Sequence, residues 1–146
     1  MNPTQIALIQ SSFAKVAPIS DLAADLFYDR LFTLDPTLPH LFKGDLREQK
    51  RKLMTMLALA VNSLQRMEKL QATLRELGRR HQSYGTEPQH YDTVVAALLW
   101  TLEQGLGAEF TAEVKSAWVA LYTRLAAIMQ EGARHHDEQS ELELAV

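Results

Sequence analysis

Apolar side chains recur every three or four residues along almost the whole of this 146-residue chain, and a helix is the element that gathers such a series onto one face. Ile6, Ile9, Phe13 and Val16 step by three, four and three. Composition agrees, because 23 Leu and 18 Ala stand against 7 Val and 4 Ile, and β-branched side chains lose rotamer freedom in a helix. The expected fold class is therefore all-α.

Start and stop signals divide the pattern. Asn2-Pro3-Thr4-Gln5 reads as a capped start, and Pro18 as the end of the first helix. Asp21 is the expected cap of a second helix with Ala24, Phe27, Tyr28, Leu31 and Phe32 inward, and Asp35-Pro36 ends it. Leu38, Leu41 and Phe42 are kept for burial across the turns that follow. Asp45 with Glu48 reads as a capping box for a long helix on Leu46, Leu53, Met56, Leu57, Ala60, Val61 and Leu64. Leu70, Leu74, Leu77, His81 and Tyr84 form the next stripe, with Gly85 as its C-terminal cap. Tyr91, Val94, Val95, Leu98 and Leu102 form another, broken by Gly105 and Gly107. Thr111 caps a last helix on Val114, Trp118, Leu121, Tyr122, Leu125, Ile128 and Met129, expected to close near Gly132. The expected organisation is one domain over 1–132 and a polar, disordered tail over 133–146.

Several function classes lack support. The chain has no cysteine and a net charge of −3, so it carries no disulfide framework, no thiolate ligand and no electrostatic footprint for nucleic acid. It shows no signal segment and no apolar run long enough to cross a membrane, and a cytoplasmic location is the expectation. Nucleophile-elbow, zinc-protease, phosphate-loop and dinucleotide motifs are missing.

His81 is the anomaly, since imidazole on an apolar stripe is costly unless it is hydrogen-bonded or bound to something. Taken alone it reads as a satisfied core residue or as a ligand. One histidine cannot hold a bare metal ion, but a porphyrin supplies four nitrogens itself and needs only one axial histidine in an apolar pocket.

From Pro3 to about Gly132 the chain resembles the globins, and within them the bacterial single-domain and flavohaemoglobin branch. The residues that carry the likeness are Leu26-Phe27-Tyr28-Asp29-Arg30-Leu31-Phe32, Pro36, Leu41-Phe42, Gln49, Arg51-Lys52-Leu53-Met54, Leu77-Gly78-Arg79-Arg80-His81, His90-Tyr91, Ala117-Trp118 and Tyr122. The resemblance implies helices packed around a haem pocket, with a short or absent D helix, and haem b (iron protoporphyrin IX) as cofactor. His81 matches the proximal iron ligand, Phe42 the ring against the porphyrin face, and Tyr28 with Gln49 the distal pair. Leu53, Leu57, Leu77 and Val94 would line the pocket. Tyr91 would orient the histidine through its other nitrogen, and Lys52 and Arg80 would meet the propionates. Flavohaemoglobins add a late glutamate to the proximal side, but the matching position here is Ala133, and Glu131 is rotated from it by about 200°. Tyr84 reads as core or pocket lining.

The distal chemistry follows from the residue types. O2 on ferrous haem gains partial negative charge, and Tyr28 and Gln49 can both donate to it. Each such bond contributes roughly 1.5 to 3 kcal/mol, about ten- to a hundredfold in O2 release, and CO gains less. Two functions fit: reversible binding of O2, with CO and NO as further ligands, for transport, storage or sensing; or dioxygenation of NO. The second needs electrons from a separate reductase.

Overall fold

The structure is a computed structural model that describes residues 2–42, 44–66, 75–80 and 88–144. Helix α1 (Pro3–Val16) starts as its sequence predicts. The Asn2 side chain accepts from the Gln5 backbone N–H at 2.8 Å, and the Gln5 side chain accepts from the Asn2 N–H at 3.1 Å. This reciprocal pair satisfies two of the amides that a helix start leaves unbonded.

Pro18 opens no loop. A 3-10 turn, Ala17–Ile19, leads straight into α2 (Ser20–Leu34). The expected cap at Asp21 is thereby corrected: Asp21 sits inside the first turn, and Ile19 precedes the helix with no capping side chain. The Ser20 N–H already donates to the Ala17 carbonyl, while the Asp21 carboxylate still lies at the positive end of the helix dipole. Helix α2 ends at Asp35, whose extended backbone is the conformation a following proline requires. Asp35 Oδ1 accepts from the Thr37 N–H at 3.0 Å and from its hydroxyl at 2.6 Å, which folds the corner.

A second 3-10 turn, Leu38–Leu41, buries Leu38. No helix lies among the described residues between it and α3 (Leu46–Asn62). Asp45 caps α3 by accepting from the Arg47 N–H at 2.9 Å, but the reciprocal half of the expected box is absent, and Glu48 lies 3.5 Å from Arg51 instead. Residues 75–80 form α4, and α5 covers Pro88–Leu106. Gly105 does not break α5; the helix passes through it, and Gly107, at φ +58°, turns the chain. That conformation costs glycine nothing and any other residue roughly 1 to 2 kcal/mol.

Helix α6 (Ala112–Leu144) begins where expected, with Thr111 Oγ1 accepting from the Val114 N–H at 3.2 Å. It runs twelve residues past Gly132, where the sequence pattern puts a stop. A lone glycine costs a helix only about 1 kcal/mol, and the residues after it include strong helix formers and no proline.

Helix α1 packs on α6 and α5, and α2 packs on α5 and α3. Among the described residues Trp118, Ile9, Leu121 and Val61 are the largest fully buried side chains. Trp118 Nε1–H donates to Ser12 Oγ at 2.9 Å, and the Ser12 hydroxyl in turn reaches the Leu8 carbonyl at 2.7 Å. The core thus takes in a large indole without leaving its N–H unpaired.

Candidate functional site

The inward face of α2 delivers Tyr28 into the protein, where it is 3 % exposed. Phe27, Phe32 and Phe42 surround its ring, with centroids at 5.1, 5.8 and 5.6 Å; Phe27 and Phe42 meet it edge-on, which suits aromatic quadrupoles. Phe32 and Phe42 also touch each other at 5.6 Å. Phe42 gets there because its N–H donates to the Pro39 carbonyl, closing the turn that precedes α3.

Burial pushes the Tyr28 hydroxyl up to about 12, and hydrogen bonding with the Gln49 side chain pulls the other way. Gln49 is half-buried in the first turn of α3, with its N–H bonded to the Asp45 carbonyl at 3.1 Å. Two sequence-predicted residues from different helices therefore meet at one hydroxyl. Leu53 and Leu57 follow Gln49 at intervals of four, are half-buried, and with Phe27, Leu98 and Trp118 line a small apolar cavity.

On α3 only Ala60 and Val61 are buried, whereas Leu53, Met54, Met56 and Leu57 are half-covered. Phe42, Tyr91 and Val94 are half-buried as well. A half-covered apolar face with one buried hydroxyl at its edge is the chemistry that suits a flat apolar cofactor carrying a small polar ligand.

On α5, Tyr91 is fixed through its backbone. The Tyr122 hydroxyl donates to the Tyr91 carbonyl at 2.6 Å, joining α6 to the first turns of α5. Burial pushes both phenols upward, Tyr122 the more strongly. Leu77 is half-buried on α4, while Lys52 on α3 and Arg80 on α4 are exposed, with Arg80 Nε 3.5 Å from Glu76. Glu131 pairs with Arg75 at 3.2 Å. His81 and Tyr84, and the expected cap at Gly85, lie outside the described residues. The geometry thus brings Tyr28, Phe42 and Gln49 together, with Leu53 and Leu57 following Gln49 along α3.

Two features are not foreseen from the sequence. Lys50 Nζ lies 2.9 Å from Asp25 Oδ1, a bond between α3 and α2 beside the Tyr28–Gln49 contact; a charge inside a run of charges gives no sign of its partner. Gly78 on α4 packs so closely on α6 that an added Cβ would sit 1.8 Å from the Met129 carbonyl oxygen. A signal for that contact does exist, as a glycine next to Leu77 in an apolar stripe.

Comparison with known proteins gives a consistent result. The family model described as Globin matches residues 25–129. Neuroglobin from Tetraodon nigroviridis is 32% identical over 121 residues, covering 73% of this chain and 76% of that protein. Neuroglobin from Danio rerio is 31% identical with the same coverage. Among solved structures, an engineered carbene transferase derived from a putative nitric oxide dioxygenase of Rhodothermus marinus superposes with a TM-score of 0.85, at 23% identity, over 100% of this chain and 99% of that one. At that identity the likeness speaks to fold.

Proposed function

The chain belongs to the globin family, hence to haem proteins that bind small gaseous ligands, and from that premise we propose that it binds haem b through His81 and retains O2 beneath Tyr28 and Gln49. The observation that supports this reading is Tyr28, its ring buried among three aromatic rings and its hydroxyl meeting Gln49 at the edge of the half-covered α3 face. When bound, haem b would supply four nitrogen ligands of its own and a ferrous iron able to take up O2, CO or NO.

The remaining work belongs to side chains. Tyr28 stays protonated at any physiological pH, since its hydroxyl is raised to about 12, and so it always has an O–H to donate. Gln49 offers an N–H to the same ligand, and the two donors favour a polar diatomic over an apolar one. Leu53 and Leu57 keep water from competing for those bonds. Phe42 would pack against the cofactor, and Tyr91, held at its carbonyl by Tyr122, would orient the His81 ring. Lys52 and Arg80 would pair with the propionates.

The visible spectrum tests the cofactor. A Soret band at one haem per chain is expected, and its absence overturns the reading. Stopped-flow displacement tests the donors: Tyr28→Phe should release O2 about ten- to a hundredfold faster, and an unchanged rate refutes the assignment. Dioxygenation of NO is the competing function. NO, O2 and one electron give nitrate, so sustained turnover draws on a separate reductase. Mixing the O2-loaded protein with NO, with and without a reductase, decides between a carrier and a dioxygenase.

A further inference from the structure

Helix α3 is anchored unevenly. Its last turns contain the buried Ala60 and Val61, and the Val61 carbonyl accepts from Gln10 Nε2 of α1 at 3.1 Å. Its first two turns hold no fully buried residue: Leu46, Gln49, Lys50, Leu53 and Met54 are all half-covered. What ties that end of α3 to α2 by charge is the Lys50–Asp25 pair at 2.9 Å. The Lys50 side chain is 23 % exposed, so it is drawn in against α2 rather than extended into water.

The placement matters because of the neighbours. Asp25 precedes Tyr28 by three residues on α2, and Lys50 follows Gln49 on α3. One turn of helix rises about 5.4 Å, so the ion pair and the Tyr28–Gln49 contact are adjacent links between the same two helices. We propose that Lys50 and Asp25 are positioning residues that hold the N-terminal half of α3 against α2 and thereby set the distance between the Tyr28 and Gln49 donors. Neither touches the gas. They fix how well two donors converge on one small ligand, a geometry that tolerates little error. This rests on the reading of Tyr28 and Gln49 as the gas-facing pair.

A half-exposed ion pair is weakened by salt, whereas general packing is not, and the test uses that difference. O2 release and the infrared stretch of bound CO are measured on haem-loaded protein, for the parent, Lys50→Gln, Asp25→Asn, the charge swap Lys50→Asp with Asp25→Lys, and Tyr28→Phe with and without Lys50→Gln. Each single charge removal should speed O2 release about fivefold, equivalent to about 1 kcal/mol, and move the CO stretch toward a less hydrogen-bonded population. The swap should restore both. Raising salt should speed release in the parent and leave Lys50→Gln unmoved, and Lys50→Gln should add nothing once Tyr28 is phenylalanine. The proposal is overturned if the single variants behave as the parent, or if Lys50→Gln acts equally in the Tyr28→Phe background. If Tyr28→Phe itself leaves O2 release unchanged, the donor assignment falls and the clamp with it, an outcome distinct from a responding Tyr28 with inert Lys50 and Asp25.

Discussion

Alanine should have opposite effects at two helical glycines of this chain. At Gly78 the added Cβ would lie 1.8 Å from the Met129 oxygen, 2.4 Å from its carbonyl carbon and 2.6 Å from its Cα, all backbone atoms that cannot rotate away. Helix α4 must retreat from α6 by about 1.6 Å before the 3.4 Å of ordinary contact is reached. Forcing extra volume into such a contact costs roughly 1 to 3 kcal/mol, and with backbone on the receiving side the upper end applies. Against this, alanine gains about 1 kcal/mol of helix propensity, leaving Gly78→Ala destabilised by about 2 kcal/mol. At Gly105 the new Cβ would meet Val16 Cγ2 at 3.6 Å and Ile19 Cδ1 at 3.7 Å, which is normal packing. There the propensity gain stands alone, and Gly105→Ala should be stabilised by about 0.4 to 1 kcal/mol. Urea unfolding of the haem-loaded protein followed by helical ellipticity reads both. With a slope of about 2 kcal/mol/M, the Gly78 midpoint falls by about 1 M and the Gly105 midpoint rises by up to about 0.5 M. A Gly78→Ala midpoint at or above the parent refutes the close approach of α4 to α6.

Ser12→Ala should cost roughly 1 to 3 kcal/mol, because it leaves the buried Trp118 N–H without its acceptor; adding Trp118→Phe should cost less than that single effect would suggest, which a double-mutant cycle in urea measures. Stability should also fall in alkali. Tyr28 is raised from 10 to about 12 in the fold, so its contribution is complete below pH 10 and is lost as pH rises toward 12, about 3 kcal/mol at 1.36 kcal/mol per unit. Tyr91 and Tyr122 shift the same way, and Tyr28→Phe should flatten the alkaline decline without abolishing it.

Signals that act within a few residues are legible in the amino-acid sequence. The Asn2–Gln5 box, the proline-dictated exit at Asp35 and the Thr111 cap each involve side chains three or fewer positions from the amide or bond they control. Tyr28 is legible for a similar reason, since its spacing with Phe27 and Leu31 puts it on the buried face. Where a boundary depends on competition between neighbours, local signals mislead. A 3-10 turn replaces the cap expected of Asp21, and helix-favouring residues carry α6 through Gly132. Long-range pairings leave no local record of their partners. Nothing near Lys50 names Asp25 as its partner, and a glycine at position 78 announces a close approach without saying to what.

The bond between Trp118 and Ser12 joins residues 106 positions apart, and it lies in the packing of the first helix on the last. On a ribosome adding about 5 to 20 residues per second, Ser12 emerges roughly 5 to 20 s before the indole it will hold. Throughout that interval the apolar face of α1, with Ile9, Phe13 and Val16, has no α6 to cover it. The nascent chain therefore exposes a sticky amphipathic helix until α6 has emerged, and slower translation lengthens the time in which a chaperone or another chain can reach it.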